Sequence, residues 1–227
     1  MGLTLIASPI GNADDITLRA LNKLKNSPCI IGEEIRTLRR RLSEWDVAFK
    51  EKKLFTLNEH TDKTALDELL KVCTEDDVCF LSDCGTPSFF DPGFELVRLC
   101  KKNNVSVNSL PGVSSLSALF PFLPVKTQRF DVLGFPPQKE QERQKFFLGL
   151  KNNKVPFFIL DTPYRFKKTL ADILKHFPNS QIVLGINLTC ENERVLQGSI
   201  KECLEKTKDI NKENFVLMLY PEGFKQN

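Results

Sequence analysis

The sequence is short of the residues that hold metals, and it lacks the usual nucleotide-binding loops and any long apolar run. Its 227 residues include only two histidines, His60 and His176. The seven cysteines (Cys29, Cys73, Cys79, Cys84, Cys100, Cys190 and Cys203) form no CxxC pair, so a zinc site is not expected. Odd in number, and in several cases set inside apolar runs, they read as buried thiols of a reducing compartment. No GxxxxGKS/T run is present, no GxGxxG opens a helix after a strand, and there is no GxSxG elbow, so phosphate-cradling loops and that type of serine nucleophile are not favoured. The longest apolar stretch, Leu116 to Val125, is broken by Pro121 and Pro124, and MGLTLIASPIG at the N-terminus has no basic leader region. The expectation is a soluble cytoplasmic protein with neither a metal nor a membrane partner.

What is there suits a folded enzyme. Hydrophobic residues make up 41%, ample for a core, and the net charge of +3 permits a nucleic-acid partner without demanding one. Strand-like runs alternate with helix-like ones: Leu3 to Ala7, a helical pattern through Ile16, Ala20, Leu21 and Leu24, then Cys29 to Ile31. Further strands are predicted at Val78 to Leu81 and Val105 to Leu110, with helices at Ala65 to Val72 and Phe94 to Lys102. Repeated βαβ units imply a mostly parallel sheet. The prolines and the polar KTQR after Leu123 place a domain boundary at Phe122, giving an N-terminal α/β domain over 1–122 and a C-terminal one over 123–227. The second half has predicted strands at Phe130 to Gly134, Pro156 to Leu160, Gln181 to Leu188 and Phe215 to Tyr220. Phe166, Leu170, Ile173, Leu174 and Phe177 give one of its helices an apolar face. The fold class is therefore two α/β domains with mostly parallel or mixed sheets and a cleft between them.

The segment Ser82 to Gly93, SDCGTPSFFDPG, carries the most information. An apolar strand runs straight into glycines, prolines and polar residues, and Asp91 and Pro92 read as the N-cap and first position of the next helix. In open α/β sheets such a loop lies beyond the carboxyl end of a strand, where ligands bind. Three other loops have the same character: Ser8 to Asn12, Gly32 to Glu34, and Pro111 to Ser115. Glycine lets a ligand approach the backbone, proline shapes the loop, and Asp83, Thr86, Ser114 and Ser115 offer hydrogen bonds.

These residues resemble a known family. Ser8-Pro9-Ile10-Gly11-Asn12 with Asp15-Ile16-Thr17, Asn58-Glu59-His60, Ser82-Asp83-Cys84-Gly85-Thr86-Pro87 with Asp91-Pro92-Gly93, and Leu110-Pro111-Gly112-Val113-Ser114-Ser115 look like the tetrapyrrole methylase superfamily, in particular its ribosomal RNA branch. The resemblance continues through Gly134-Phe135-Pro136, Thr162-Pro163-Tyr164-Arg165 and Asn187-Leu188-Thr189. It implies a class III methyltransferase-like homodimer that binds S-adenosylmethionine in the cleft between its domains and methylates a ribose 2′-hydroxyl of small-subunit ribosomal RNA. The residues it points to for the cofactor are Pro9, Asp83, Cys84, Gly85, Thr86, Pro87, Ser114 and Ser115. No metal is required, because the cofactor brings its own electrophile.

A ribose hydroxyl is a poor nucleophile, so Glu34, Asn58 and His60 are candidates for receiving its proton, each with an ordinary structural role as the alternative. Arg36, Arg39, Arg40 and Arg41 are the one dense basic cluster, read either as an RNA backbone contact or as a solvated helix face. Trp45 and the phenylalanines read as core rather than as base-stacking platforms. Two departures keep other readings open: Ile35 stands where the branch carries threonine, and Cys190 where it tends to carry lysine. The alternatives are a methyltransferase for a tetrapyrrole or other small molecule, and a cofactor- or RNA-binding paralogue without activity.

Overall fold

The computed structural model describes residues 1–90 and 93–224, so the cap expected at Asp91 and Pro92 lies outside the described residues. The chain packs as two compact units, Met1–Ser114 and Ser115–Asn227. The division drawn from the prolines, after Phe122, falls within the second of them at the end of a 3-10 turn, Phe120–Phe122.

In the first unit, β1 (Gly2–Ile6), β2 (Cys29–Gly32), β3 (Lys53–Thr56), β4 (Asp77–Leu81) and β5 (Val107–Leu110) form one sheet in the order β3-β2-β4-β1-β5. Every pairing in it is parallel. Side chains alternate between its faces, and both faces are covered. Leu3, Leu5, Cys29, Ile31, Val78 and Phe80 pack beneath α3 (Lys63–Glu75) and α4 (Gly93–Lys102) through Leu69, Cys73, Leu96 and Cys100. Ile6, Ile30, Cys79 and Leu81 pack against α1 (Leu18–Asn26) and α2 (Ile35–Glu44) through Ala20, Leu24, Leu38 and Leu42. Double coverage is why these strands read as unbroken apolar runs. Phe80 is fully buried, and its truncation to alanine would cost about 3–5 kcal/mol. Side-chain caps start the helices: Thr17 Oγ1 accepts from the Ala20 N–H at 3.2 Å and Asp62 Oδ1 from the Ala65 N–H at 2.9 Å.

The second unit holds a mixed sheet of β6 (Asp131–Val132), β7 (Phe157–Asp161), β8 (Gln181–Ile186), β9 (Arg194–Ser199) and β10 (Phe215–Tyr220), ordered β6-β7-β10-β8-β9. Only the β6–β7 pair is parallel. One face packs on α6 (Glu140–Gly149), α7 (Phe166–His176) and α8 (Ile200–Lys206) through Phe147, Phe166, Leu170, Ile173, Ile200 and Cys203. On the other, Phe158 meets Phe120 and Phe130, each with ring centroids 5.5 Å away. The helix α5 (Ser115–Leu119) brings Leu119 against Gly185, leaving no room there for a Cβ.

Two edge strands, β3 and β9, have no counterpart among the predicted ones. KLFT is exposed at both ends, and RVLQGS is mostly half-buried and carries Gly198 at φ +146°, so neither presents an apolar run. Trp45 is core as expected, and its indole N–H donates to the Ala13 carbonyl at 3.0 Å.

Candidate functional site

Parallel pairing puts the carboxyl ends of all five strands of the first sheet on one edge, so the loops after β1, β2, β4 and β5 gather there with Asn58 to His60 after β3. Because β4 and β1 are neighbours, the two glycine-containing loops that follow them meet. The Ser8 N–H donates to the Gly85 carbonyl at 2.8 Å and the Gly85 N–H returns a bond to the Ser8 carbonyl at 3.1 Å. Ser82 Oγ donates to the same Gly85 carbonyl at 2.7 Å. Gly85 sits at φ +76°, where a side chain is strained even though a Cβ would lie 3.8 Å from the nearest atom, Cγ2 of Ile10. Gly112 approaches the end of β1 so closely that a Cβ would stand 2.9 Å from that of Ala7.

Around this bridge the predicted cofactor residues differ in exposure. Pro9, Gly85 and Pro87 are buried, Asp83 and Ser114 half-buried, and Cys84 and Thr86 exposed; Ser115 opens α5 in the second unit. Ser8, quoted in the sequence motif but not counted among the site residues, is 1% exposed, and its hydroxyl has no hydrogen-bond partner among the described residues. A buried polar atom left unpaired inside a fold costs stability, so an unpaired one at a ligand-binding edge is a donor in waiting.

The loop after β2 is tied in from the other side. Glu33 Oε1 accepts from the Asp83 N–H at 2.9 Å. The Asp83 carboxyl is pushed above its usual range by burial first and by the neighbouring Glu34 carboxylate second, against a hydrogen bond from the Glu34 backbone N–H and the pull of Arg40 and Arg41. Glu34 behaves oppositely. It is the N-cap of α2, its Oε2 accepting from the Thr37 N–H at 2.6 Å, and the backbone N–H groups of Arg36 and Thr37 hold its carboxyl below the usual range. A carboxylate so engaged is a weaker base. Asn58 is also occupied locally: its Oδ1 accepts from the His60 N–H at 3.0 Å and its own N–H donates to Thr61 Oγ1 at 2.9 Å, an Asx-type turn. The His60 side chain is 86% exposed with Glu59 Oε1 3.8 Å away, and it follows β3, two strand spacings or about 10 Å from β4. Arg36, Arg39 and Arg40 are exposed on α2, whereas Arg41 is half-buried and pairs with Glu44 at 3.0 Å.

In the second unit, sequence reasoning overlooked Arg143. It is fully buried in mid-α6, with Nε on Asp172 at 2.6 Å, Nη1 on Asp161 at 3.1 Å and Nη2 on Thr169 at 2.7 Å. Asp161 also pairs with Arg165 at 2.7 Å, and Arg165 donates to the Pro136 carbonyl at 3.0 Å. One network thus fixes the Gly134-to-Pro137 and Thr162-to-Arg165 segments that follow β6 and β7. Nothing in QERQ distinguishes this arginine from a solvated one.

A parallel sheet whose carboxyl-edge loops are stitched together by glycine backbone, in the same chain as a mixed-sheet unit, makes a two-unit α/β protein with a candidate ligand site at the parallel sheet's carboxyl edge. The sequence profile of the Tetrapyrrole (Corrin/Porphyrin) Methylases matches residues 2–204, and the chain belongs to that family. It is a methyltransferase dependent on S-adenosylmethionine. Among its relatives are proteins named Ribosomal RNA small subunit methyltransferase I: one from Hydrogenobaculum sp. is 33% identical over 98% of this chain and 97% of its own length, and one from Rickettsia prowazekii is 34% identical over 96% and 78%. Among solved structures, the methyltransferase CobJ covers 100% of this chain and 96% of its own with a TM-score of 0.71 at 12% identity. Uroporphyrin-III C-methyl transferase from Thermus thermophilus complexed with S-adenyl homocysteine covers 97% of both chains with a TM-score of 0.66 at 18% identity. At such identities these two establish the fold alone. Among the described residues there is no cluster of histidine, cysteine, aspartate or glutamate fit for a metal ion, and no helix long and apolar enough to cross a membrane.

Proposed function

We propose that the chain methylates a ribose 2′-hydroxyl in small-subunit ribosomal RNA, working in the cytoplasm as a homodimer. The observation that carries this reading is the stitched loop set at the carboxyl edge, in a chain whose relatives of similar length share the ribosomal RNA methyltransferase name. The residues there suit the donor. Gly85 and Pro87 give a shaped backbone, Thr86 stands exposed, and the unpaired Ser8 hydroxyl beside Pro9 is free to bond a polar ligand atom. Cys84, Ser114 and Ser115 belong to the same proposed donor set.

When bound, S-adenosylmethionine supplies a methyl group already activated on a sulfonium, so the protein's task is alignment and removal of one proton. Asp83, which the resemblance counts among the cofactor residues, is the candidate to take that proton: it is half-buried at the head of the loop after β4, its N–H is tied to Glu33, and burial keeps its carboxyl above the usual range. Glu34 caps α2, Asn58 shapes its turn, and both support the edge rather than act on the hydroxyl. Arg36, Arg39 and Arg40 supply exposed positive charge for the phosphate backbone, and each phosphate neutralised releases counterions.

Mass-spectrometric mapping of 2′-O-methylation in small-subunit ribosomal RNA from cells with and without the gene tests this reading. One methylated nucleotide should disappear with the gene; an unchanged methylation map sinks it.

A further inference from the structure

Phenylalanine in the first unit is a core residue except on the loop after β4 and in the first turn of α4. Phe80 is buried, Phe49 and Phe55 are half-buried, yet Phe89, Phe90 and Phe94 are 48%, 50% and 57% exposed. They are the only large exposed aromatics among the unit's described residues. Phe89 and Phe90 lie together, ring centroids 4.4 Å apart at 57°. Rings with about half of their surface exposed forgo burial that phenylalanine takes elsewhere in this unit.

Their place is specific. Phe89 and Phe90 come after Gly85-Thr86-Pro87 and Ser88, Phe94 lies in the first turn of α4, and β4 is next to β2 in the sheet, so the start of this loop lies beside the N-terminus of α2. The Glu33–Asp83 bond ties the two together, and the charges of Arg40 and Arg41 reach the Asp83 carboxylate. Arg39 and Arg40 are exposed and make no ion pair among the described residues. Exposed rings and uncommitted arginines on two segments linked in this way offer the combination that holds single-stranded nucleic acid: bases stack on the rings and phosphates follow the charge.

We infer that Phe89, Phe90 and Phe94 form a stacking platform for unpaired bases of the acceptor RNA, with Arg39 and Arg40 gripping the adjoining backbone. The inference rests on the RNA reading above and adds what it lacks, a way to select unpaired over duplex RNA next to the donor loop.

The test is fluorescence anisotropy of the full chain with a labelled uridine-rich RNA dodecamer, single-stranded or annealed to its complement, over a range of salt. The parent should prefer the single strand. Phe89→Ser/Phe90→Ser should weaken single-strand binding about 10-fold or more without changing the slope against log salt, because stacking releases no counterions. Arg39→Gln/Arg40→Gln should flatten that slope by about 1.4, the share of two phosphates on a single strand. Phe89→Tyr/Phe90→Tyr, which keeps the rings, should stay within about 3-fold of the parent. Calorimetric binding of S-adenosylmethionine should be unaffected in all of them. Unchanged RNA affinity in the serine variant overturns the inference. So does a serine variant that becomes monomeric by sedimentation while keeping its RNA affinity, since a second copy of the chain would then be what covers the rings. A parent that transfers no methyl group to ribosomal RNA sinks the broader reading instead and leaves the anisotropy result standing.

Discussion

Two polar constellations, one in each unit, differ in how fully their bonds are used. Around Arg143 the guanidinium donors meet Asp161, Asp172 and Thr169, Thr169 Oγ1 donates to Asp161 at 2.6 Å, and Asp161 is shared with Arg165. Around Gly85 the backbone is pinned by its bridge to Ser8, but a buried hydroxyl is left over, a carboxyl sits above its usual range and the phenylalanine rings further along are about half exposed. A saturated network fixes structure. An unsaturated one keeps interactions in reserve for a ligand, which is why the second and not the first is the candidate site.

The largest effect should come from breaking the saturated side. Arg143→Met leaves Asp172 buried without its cation and Asp161 with Arg165 alone, and should cost about 3–5 kcal/mol in urea unfolding of the full chain. A loss below about 1 kcal/mol would mean that the network is not structural. Next comes Asp83→Asn, which should lower the rate of methyl transfer by about 10²–10⁴-fold with little change in donor affinity. Its stability effect has the opposite sign. Because the folded carboxyl is raised above its unfolded value, ionised Asp83 weakens the fold above that raised pKa, and stability returns as pH falls through it. The asparagine variant should therefore melt higher than the parent at neutral pH, and the difference should close in acid. A variant that melts lower at neutral pH would show Asp83 to be a structural partner. The smallest effect is that of Ser8→Ala. Removing an unpaired buried hydroxyl should leave the fold unharmed or more stable by about 1 kcal/mol while weakening calorimetric donor binding. A clear destabilisation would place Ser8 with the saturated network instead.

Much of the fold is legible in the sequence, and less of this contrast. Strands covered on both faces announce themselves as apolar runs, as in Val78 to Leu81 and Phe215 to Tyr220, and glycine and proline mark the loops at their ends. The edge strands β3 and β9 were not, because exposed strands need few apolar residues. Side-chain roles were harder still. Glu34 has the residue type of a base and the geometry of a helix cap, and only the direction of its carboxylate separates the two. Arg143 lies among polar neighbours in the sequence, so its burial follows from how α6 packs and not from local pattern. The phenylalanines misled in the other direction: apolar composition implied core, yet Phe89 and Phe90 lie on the loop beyond β4 and Phe94 on the uncovered side of the first turn of α4, whose buried side runs through Leu96 and Cys100.

The central claim is that the loop after β4 receives the methyl donor, and titration calorimetry with S-adenosylmethionine on the parent and on Thr86→Trp tests it most directly. Thr86 is exposed, so the larger side chain should not disturb folding, and matched melting curves would establish that. The account predicts one saturable site in the parent and a loss of affinity of about 100-fold or more in the variant, as expected when a bulky ring fills a shaped pocket. Equal affinity in the two proteins, or no binding by the parent, would contradict it.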